Sequence, residues 1–246
     1  AEKLTEGTMR LNKFLSSIGF CSRRQADKYI ENGKIYIDDS VAGLGTELYD
    51  KQKVYFEKTY IGQIDDLKLK QRIVLAVNKP VGIVCTSSDK DRAENIVDFI
   101  NYPLRIYPVG RLDKDSEGLL LMTNDGSLVN ALMKAKNHHE KEYIVEVNKN
   151  IDEAFLQAMS GGVYIKELKV KTRKCYIEKI SEKSFKIILT QGLNRQIRRM
   201  CESLGFKVLS LRRIRIVNIT LGKLKTGEYR KLSTTELNTL DSLIGE

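Results

Sequence analysis

The sequence has few of the residues that mark metal-binding, disulfide-rich or membrane proteins. Its four cysteines are scattered without a C-x-x-C pair, which is typical of small core residues in a reduced protein. The two histidines, His138 and His139, are adjacent and poorly placed to share a metal ion. No apolar run approaches the roughly 20 residues of a membrane span, and no signal-peptide pattern opens the sequence. We therefore expect a cytoplasmic protein with no metal site and no membrane partner.

The composition has a strong positive balance. The 246 residues include 42 Lys and Arg against 32 Asp and Glu, a net charge of +10, and the pI is near 9.3. This balance suggests a polyanionic partner, most simply nucleic acid, provided that the charge is concentrated in a patch. The length fits one large domain or a small domain followed by a medium one.

One loop combines a carboxylate with basic and glycine neighbours. Asp113 is flanked by Gly110, Arg111 and Lys114, and an apolar run at residues 118–122 follows directly. Such a run predicts a buried strand, and a loop held by a core strand can fix a reactive group. The alternative is an ordinary turn, because Asp and Gly are common turn formers.

The first sixty residues predict two short helices and several strands. Apolar residues at i, i+3, i+4 and i+7 from Leu11 indicate the first helix, and Ser22 has the spacing of a cap for the second. Basic residues lie at the helix starts and in the turns, where phosphates bind well; they are Arg10, Lys13, Arg23, Arg24 and Lys34. These motifs resemble the S4 RNA-binding domain over residues 9–61, with 62–72 as a polar linker. The alternative is a solvated basic face on a small packing module.

Strict alternation predicts a strand at residues 141–147, with Tyr143, Val145 and Val147 on one face. Tyr143 is either a core side chain or an aromatic surface for a nucleobase. Further on, Ile197, Met200, Cys201 and Leu204 mark the buried stripe of a helix.

The segment from Arg195 to Arg215 contains seven basic residues and one acid, the densest positive stretch of the chain. A merely solubilising helix face would mix both signs. We therefore expect Arg195 to contact RNA.

The chain thus offers a carboxylate loop, an arginine helix and a strand tyrosine, without a glycine-rich phosphate loop, a Ser–His–Asp order or a metal cluster. Burial raises the pKa of a carboxyl group, and a neighbouring guanidinium opposes this. An ionised, partly dry carboxylate is a nucleophile or base that needs no cofactor. Together with an aromatic platform, these groups suit work on one nucleotide flipped out of its stack.

Residues 73–246 resemble a pseudouridine synthase domain of the RsuA-like branch, whose members carry an S4 domain and isomerise uridine in ribosomal RNA. The match rests on these motifs: Asn78-Lys79-Pro80, Gly110-Arg111-Leu112-Asp113, Thr123-Asn124-Asp125-Gly126, Lys141-Glu142-Tyr143 and Arg195-Gln196-Ile197-Arg198. The resemblance implies an α+β fold in which a small S4-type domain precedes a catalytic domain with a mixed, largely antiparallel central sheet and flanking helices.

The resemblance also implies roles. Asp113 would be the catalytic aspartate, Tyr143 the ring that stacks on the target base, and Arg198 the partner that holds Asp113, with Arg111 as a further substrate contact. Position 116 is Ser where much of the family has Thr, and both keep the hydroxyl group. Whether Asp113 attacks the base, attacks the sugar or removes a ribose proton stays open.

We expect a monomer that acts without a cofactor on ribosomal RNA, most simply 23S, or on an assembling ribosomal subunit, with tRNA as an alternative substrate. A non-catalytic ribosome assembly factor is the competing function. A glycosidase is a more distant one, because Asp115 and Glu117 could supply the second carboxylate of such an enzyme.

Overall fold

The computed structural model describes residues 8–69, 71–85, 93–134 and 138–245. This part of the chain divides into two compact units. The first unit runs to residue 73 and adds residues 104–106 and 124–126, and the second unit contains the remainder. Among the helices of the described ranges, none has the length and apolar composition needed to cross a membrane.

The first unit is built from short elements. Its helices are α1 (Leu11–Ser17), α2 (Arg23–Glu31) and α3 (Ile64–Leu69), and its strands are β1 (Thr8–Arg10), β2 (Ile35–Ile37), β3 (Ser40–Val41), β4 (Glu47–Tyr49), β5 (Val54–Phe56) and β6 (Thr59–Gly62). Strand β1 pairs with β4, and a second sheet has the order β3-β2-β5-β6.

The predicted helix pair is confirmed, and its physical basis is local. Leu11, Phe14 and Leu15 are fully buried on one side of α1. Helix α2 begins where predicted because the side chain of Ser22 accepts a hydrogen bond from the backbone N–H of Gln25. Both features arise from residues within one or two helical turns, so the sequence alone specified them.

The segment predicted as a linker, residues 62–72, is partly ordered structure. It contains α3, and Ile64 is buried in the core of the first unit with Leu67 packed against that core. The mixed charge of the segment hid these two apolar residues, which lie three positions apart and share one helix face. Residues 64–69 of the predicted linker therefore form a helix that packs on the core of the first unit.

The second unit is larger, and most of its chain forms one sheet with flanking helices. Its helices are α4 (Ile96–Ile100), α5 (Gly126–Met133), α6 (Glu153–Gly161), α7 (Gln196–Ser203) and α8 (Thr234–Ile244), with a 3₁₀ turn at Lys166–Leu168. Its strands are β7 (Val74–Lys79), β8 (Tyr107–Pro108), β9 (Glu117–Thr123), β10 (Lys141–Val147), β11 (Tyr164–Ile165), β12 (Val170–Lys171), β13 (Tyr176–Ser181), β14 (Ser184–Leu189), β15 (Val208–Ile216), β16 (Ile219–Thr220) and β17 (Tyr229–Lys231).

The main sheet has the order β13-β14-β10-β15-β9-β7-β17, with β16 beside β15 and β8 beside β9. Strands β15 and β9 run parallel, and the other described neighbours in this sheet run antiparallel. The predicted α+β fold with a mixed, largely antiparallel sheet is confirmed.

Two central strands of the main sheet, β7 and β9, are formed by continuous apolar runs of the sequence. Residues 74–79 of β7 and 118–123 of β9 are buried along their whole length, as expected for strands covered on both faces. Helix α6 and strand β15 were not predicted from the sequence.

One register row across the sheet organises the site. Lys79 of β7 lies opposite Gly118 of β9, Gly118 opposite Arg213 of β15, and Arg213 opposite Tyr143 of β10. One strand, β15, lies between the start of β9 and Tyr143 of β10. Neighbouring strands are about 4.8 Å apart. The loop that precedes β9 is therefore carried to the same end of the sheet as Tyr143.

Candidate active site

A cleft of about 520 Å³ opens in the second unit. Asp113, Tyr143 and Arg198, which the sequence analysis placed in one site, all line it, together with Arg111 and Arg195. Its apolar walls come from both halves of the core: Leu189, Ile197 and Leu211 from one cluster, and Val109, Leu121, Leu132 and Ile216 from the other. The cleft lies where these two clusters meet.

Asp113 lies in a loop that is fixed at both ends. Before it, Val109 donates its backbone N–H to Leu121 O at 2.8 Å; after it, Ser116 donates its N–H to Asp113 O at 3.0 Å. The Asp113 side chain keeps 33% of its surface exposed, so its carboxylate is open to the cleft. Because a core strand holds this loop, the carboxylate is already ordered before a ligand binds.

A second turn supports this loop from behind. Lys79 is fully buried and donates from Nζ to Pro80 O and Ile83 O, both at 2.8 Å. Gly82, in the turn between these two residues, donates its N–H to Lys114 O at 2.7 Å. Burial lowers the pKa of Lys79, while Cys85 and the carboxylates of Asp113, Asp115 and Glu117 oppose that shift.

Arg195 contacts the Asp113 carboxylate, with Nη1 3.7 Å from Oδ2. Arg195 also forms a two-point contact with Asp115, donating from Nη1 and Nη2 at 3.0 and 2.9 Å. This contact is the first cause that holds the pKa of Asp115 below its usual value. The guanidinium is thus anchored by Asp115 and presented to Asp113.

Arg198 does not hold Asp113 in this structure, contrary to the sequence-based expectation. Its side chain is buried and donates from Nη2 to Asp115 O at 2.9 Å and to Ser116 Oγ at 3.1 Å. Nη1 lies 3.4 Å from Asp115 Oδ2. Arg198 therefore supports the loop that carries Asp113. It lies three residues after Arg195, which contacts the Asp113 carboxylate.

Tyr143 lines the cleft from β10, on the strand face that alternation assigned to it together with Val145 and Val147. Val145 and Val147 on the same face are fully buried, whereas Tyr143 is partly exposed and packs at the edge of the core. A partly exposed ring at the edge of a polar cleft has a face free to stack on a planar ligand. Tyr143 therefore has a packed side and an open side.

The charge of the cleft is strongly one-sided. Among its lining residues, Asp113 supplies the carboxylate, against seven basic side chains: Arg111, Lys134, Lys141, Arg173, Arg195, Arg198 and Arg213. Four of these basic residues were not predicted as site residues: Lys134, Lys141, Arg173 and Arg213. Alternation along β10 could have found Lys141, two residues from Tyr143, but Arg213 needed the strand order.

The two acids that would suit a glycosidase lie elsewhere. Asp115 and Glu117 line a neighbouring depression of about 410 Å³, which shares Arg195, Arg198 and Leu211 with the cleft, and Asp115 is hydrogen-bonded by Arg195. Within the described ranges, no group of three His, Cys, Asp or Glu side chains could hold a metal ion.

The five basic residues assigned to RNA in the first unit lie on its surface. Arg10, Lys13, Arg23 and Arg24 are exposed, and the last two form the first turn of α2. Lys34 is half-buried and pairs with Glu57 at 3.4 Å. The first four are therefore open to a polyanion, whereas Lys34 already has a carboxylate beside it.

Comparison with known proteins gives the same assignment as the motifs. Residues 73–203 match the family described as RNA pseudouridylate synthase, and residues 9–48 match the S4 domain. The chain is 46% identical over 98% of its length to the dual-specificity RNA pseudouridine synthase RluF of Escherichia coli (strain K12), covering 81% of that protein.

Two more distant relatives and one solved structure extend the match. The chain is 31% identical to the ribosomal large subunit pseudouridine synthase B of Bacillus subtilis (strain 168), covering 95% of this chain and 96% of that protein. The chain is 30% identical to the ribosomal small subunit pseudouridine synthase A of Haemophilus influenzae, covering 94% of this chain and 99% of that protein. A crystal structure of pseudouridylate synthase superposes with a TM-score of 0.68 at 30% identity, covering 94% of this chain and 99% of that one. The chain therefore belongs to the RNA pseudouridylate synthase family and is an isomerase of its S4-containing, RsuA-like branch.

Proposed function

We propose that this enzyme isomerises one uridine of 23S ribosomal RNA, with tRNA as a second substrate. The name of the Bacillus relative specifies the large ribosomal subunit, and the name of the Escherichia relative specifies dual specificity. The observation that carries the proposal is the cleft itself, which Asp113 and Tyr143 line together with seven basic side chains.

The proposed roles follow from position and charge. Asp113 is the group that attacks or deprotonates the nucleotide, and Tyr143 stacks on the extruded uracil, worth about 1–3 kcal/mol for a base on an aromatic ring. Arg195 and Arg198 hold the Asp113 loop, one at the carboxylate and one at the backbone of Asp115. Arg111 is exposed at the cleft wall and contacts the RNA backbone.

The reaction balances without a cofactor. The bond from uracil N1 to ribose C1′ breaks, the base turns within the cleft, and a bond forms from C5 to C1′. The proton of C5 is released and N1 gains one, so the product has the mass of the substrate. We place this reaction in the cytoplasm, by a monomer, on RNA that is free or within an assembling ribosomal subunit.

The first test replaces Asp113 with Asn, which is nearly isosteric. We expect isomerisation in vitro to fall by roughly a thousandfold or more while affinity for RNA is retained, because the charge change is confined to the reacting group. Tritium release from C5-labelled RNA measures turnover, and Glu153→Gln is the control, since Glu153 is exposed and does not line the cleft. Wild-type turnover by Asp113→Asn would exclude Asp113 as the catalytic group.

The second test identifies the substrate. Pseudouridines are mapped in ribosomal and transfer RNA of a strain that lacks the gene, and again after complementation with the wild-type or Asp113→Asn enzyme. We expect one 23S position and one tRNA position to be lost and to return with the wild-type protein alone. RNA binding without any gain of pseudouridine would instead indicate a non-catalytic assembly factor.

A further inference from the structure

Arg213 is a buried arginine with no ion-pair partner among the described residues. Its side chain is 4% exposed, and its Nε donates to Leu119 O at 2.7 Å. Nη2 is buried with no hydrogen-bond partner in the described part of the chain. A buried guanidinium nitrogen without an acceptor is costly, and Arg213 lines the cleft. An acceptor supplied by the ligand would satisfy it.

A second cation stands beside it. Lys141 also lines the cleft, and no hydrogen bond or ion pair to its Nζ occurs among the described residues. Burial lowers the pKa of Lys141, and the nearby positive charge of Arg213 lowers it further. The two cations therefore repel each other, while the carboxylate of the cleft, Asp113, is 3.7 Å from Arg195.

Strand register places both cations next to Tyr143. Arg213 is directly opposite Tyr143 in the β10–β15 pair, so the two side chains share a face about 5 Å apart at Cβ. Lys141 precedes Tyr143 by two residues, about 7 Å along the strand. The pairing with β15 shifts register between Glu142 and Tyr143, and both side chains line the same cleft. The two phosphates that flank a flipped nucleotide belong to the same or the next nucleotide, so they lie close to its base. A phosphate next to a base on Tyr143 would therefore lie near both cations.

We infer that Arg213 and Lys141 form a subsite for one backbone phosphate that adjoins the extruded uridine. This inference rests on the proposed function, since it takes the base on Tyr143 as its reference point. Arg213 supplies a directional donor and Lys141 a mobile point charge. The phosphate brings the acceptor that the buried guanidinium lacks, and the sheet register fixes its position relative to the base.

The test compares phosphate neutralisation with removal of the cations. A short RNA around the mapped uridine is made with one neutral methylphosphonate linkage, on its 5′ side, on its 3′ side, or three nucleotides away. Affinities are measured by fluorescence anisotropy for the wild-type enzyme, Arg213→Gln, Lys141→Gln and the control Arg212→Gln. Arg212 is exposed and is the neighbour of Arg213 on β15, so its loss matches the change in charge but not the position.

We expect one of the two adjacent linkages to be special. Its neutralisation weakens wild-type and Arg212→Gln binding about tenfold, the scale of one charged hydrogen bond, whereas Arg213→Gln and Lys141→Gln lose most of that sensitivity. If Arg213 were merely structural, Arg213→Gln would weaken all three modified RNAs and the unmodified RNA alike, and sensitivity to the linkage would persist. That result, or equal wild-type affinity for all the RNAs, overturns the subsite.

Two further measurements separate folding and catalysis from binding. Thermal unfolding of Arg213→Gln and Arg213→Lys shows whether the tie to Leu119 O is needed for stability, and Lys141→Gln tests the subsite without touching that tie. Turnover is assayed separately, so linkage sensitivity without pseudouridine formation would retain the subsite and reject the proposed function. Pseudouridine formation without linkage sensitivity would support the proposed function and reject the subsite.

Discussion

At the scale of single residues, the site depends on two arginines at the start of α7, Arg195 and Arg198, which contact different parts of the Asp113 loop. Arg195 adopts a left-handed backbone conformation, φ 48°, at the start of the helix, and its guanidinium reaches Asp115 and Asp113. Arg198 is buried one turn further on and bonds the loop from beneath. Arg195 is exposed and lines the cleft, whereas buried Arg198 holds the loop through Asp115 and Ser116.

Ser116 links Arg198 to the loop through a side-chain hydrogen bond. It is 1% exposed, and its Oγ accepts from Arg198 Nη2 at 3.1 Å. We expect Ser116→Ala to lower the free energy of unfolding by about 1.5–3 kcal/mol, because a buried charged donor loses one acceptor. Urea denaturation measures this change.

Ser116→Thr is the matched variant, since it keeps the hydroxyl group and should retain most of the stability. The hydrogen bond would be unimportant if Ser116→Ala unfolded at the wild-type urea concentration. It would also be unimportant if the two variants behaved alike.

At the scale of elements, the parallel contact between β9 and β15 is the close approach on which the site depends. A Cβ at Gly118 would lie 2.3 Å from Arg213 O, and the φ of Gly118 is +107°. Both facts require glycine, since backbone cannot move aside as a side chain can. We expect Gly118→Ala to destabilise the protein by more than about 4 kcal/mol, or to prevent folding.

The control for that prediction is Gly161→Ala. A Cβ at Gly161 meets nothing within 4 Å, and the residue ends α6. Its replacement should change stability by about 1 kcal/mol at most. Urea unfolding of both variants checks the pair, and a Gly118→Ala protein as stable as Gly161→Ala would mean that the two strands can separate cheaply.

Helix α8 carries a pH-dependent element of stability. Arg230 donates to both carboxylate oxygens of Glu236 at 2.7 and 2.9 Å, and Glu236 and Ser233 form a reciprocal cap. The guanidinium of Arg230 is the first cause that lowers the pKa of Glu236 from 4.5 to about 2. Because the folded state holds this carboxylate ionised, its contribution is complete above pH 4.5 and is lost as pH falls toward 2.

We expect Glu236→Gln to reduce the loss of stability on acidification in that range, as measured by urea unfolding at a series of pH values. Ser233→Ala is the contrasting variant: it removes a cap worth about 1 kcal/mol but leaves the Arg230 pair and most of the acid dependence. Equal acid slopes for Glu236→Gln and the wild-type enzyme would show that other carboxylates control this range.

At the scale of the whole molecule, positive charge lies in both units: at the helix starts of the first and in the cleft of the second. We expect Arg23→Ala combined with Arg24→Ala to weaken RNA binding and to reduce the salt slope by roughly 1.4, at about 0.7 per phosphate contact on a single strand. Binding titrations between 50 and 300 mM salt measure the slope.

The matched control is Lys51→Ala with Lys58→Ala, which removes two exposed charges of the same unit that were not assigned to RNA. An unchanged slope in the arginine pair, or an equal drop in both pairs, would place the phosphate contacts of this unit elsewhere. The division into domains at residues 61 and 73 stays a prediction that limited proteolysis can test.

The amino-acid sequence by itself determined the features that depend on neighbours in the chain. Ser22 and Ser233 cap their helices within three residues, and the alternation around Tyr143 places its ring on a definite face. Tertiary structure decided which distant groups meet. Arg195 bonds Asp115 across 80 positions, and Arg213 reaches the site because β15 lies between β9 and β10. Periodicity shows which side of an element is buried, but partners depend on strand order and on side-chain reach, which no local pattern encodes.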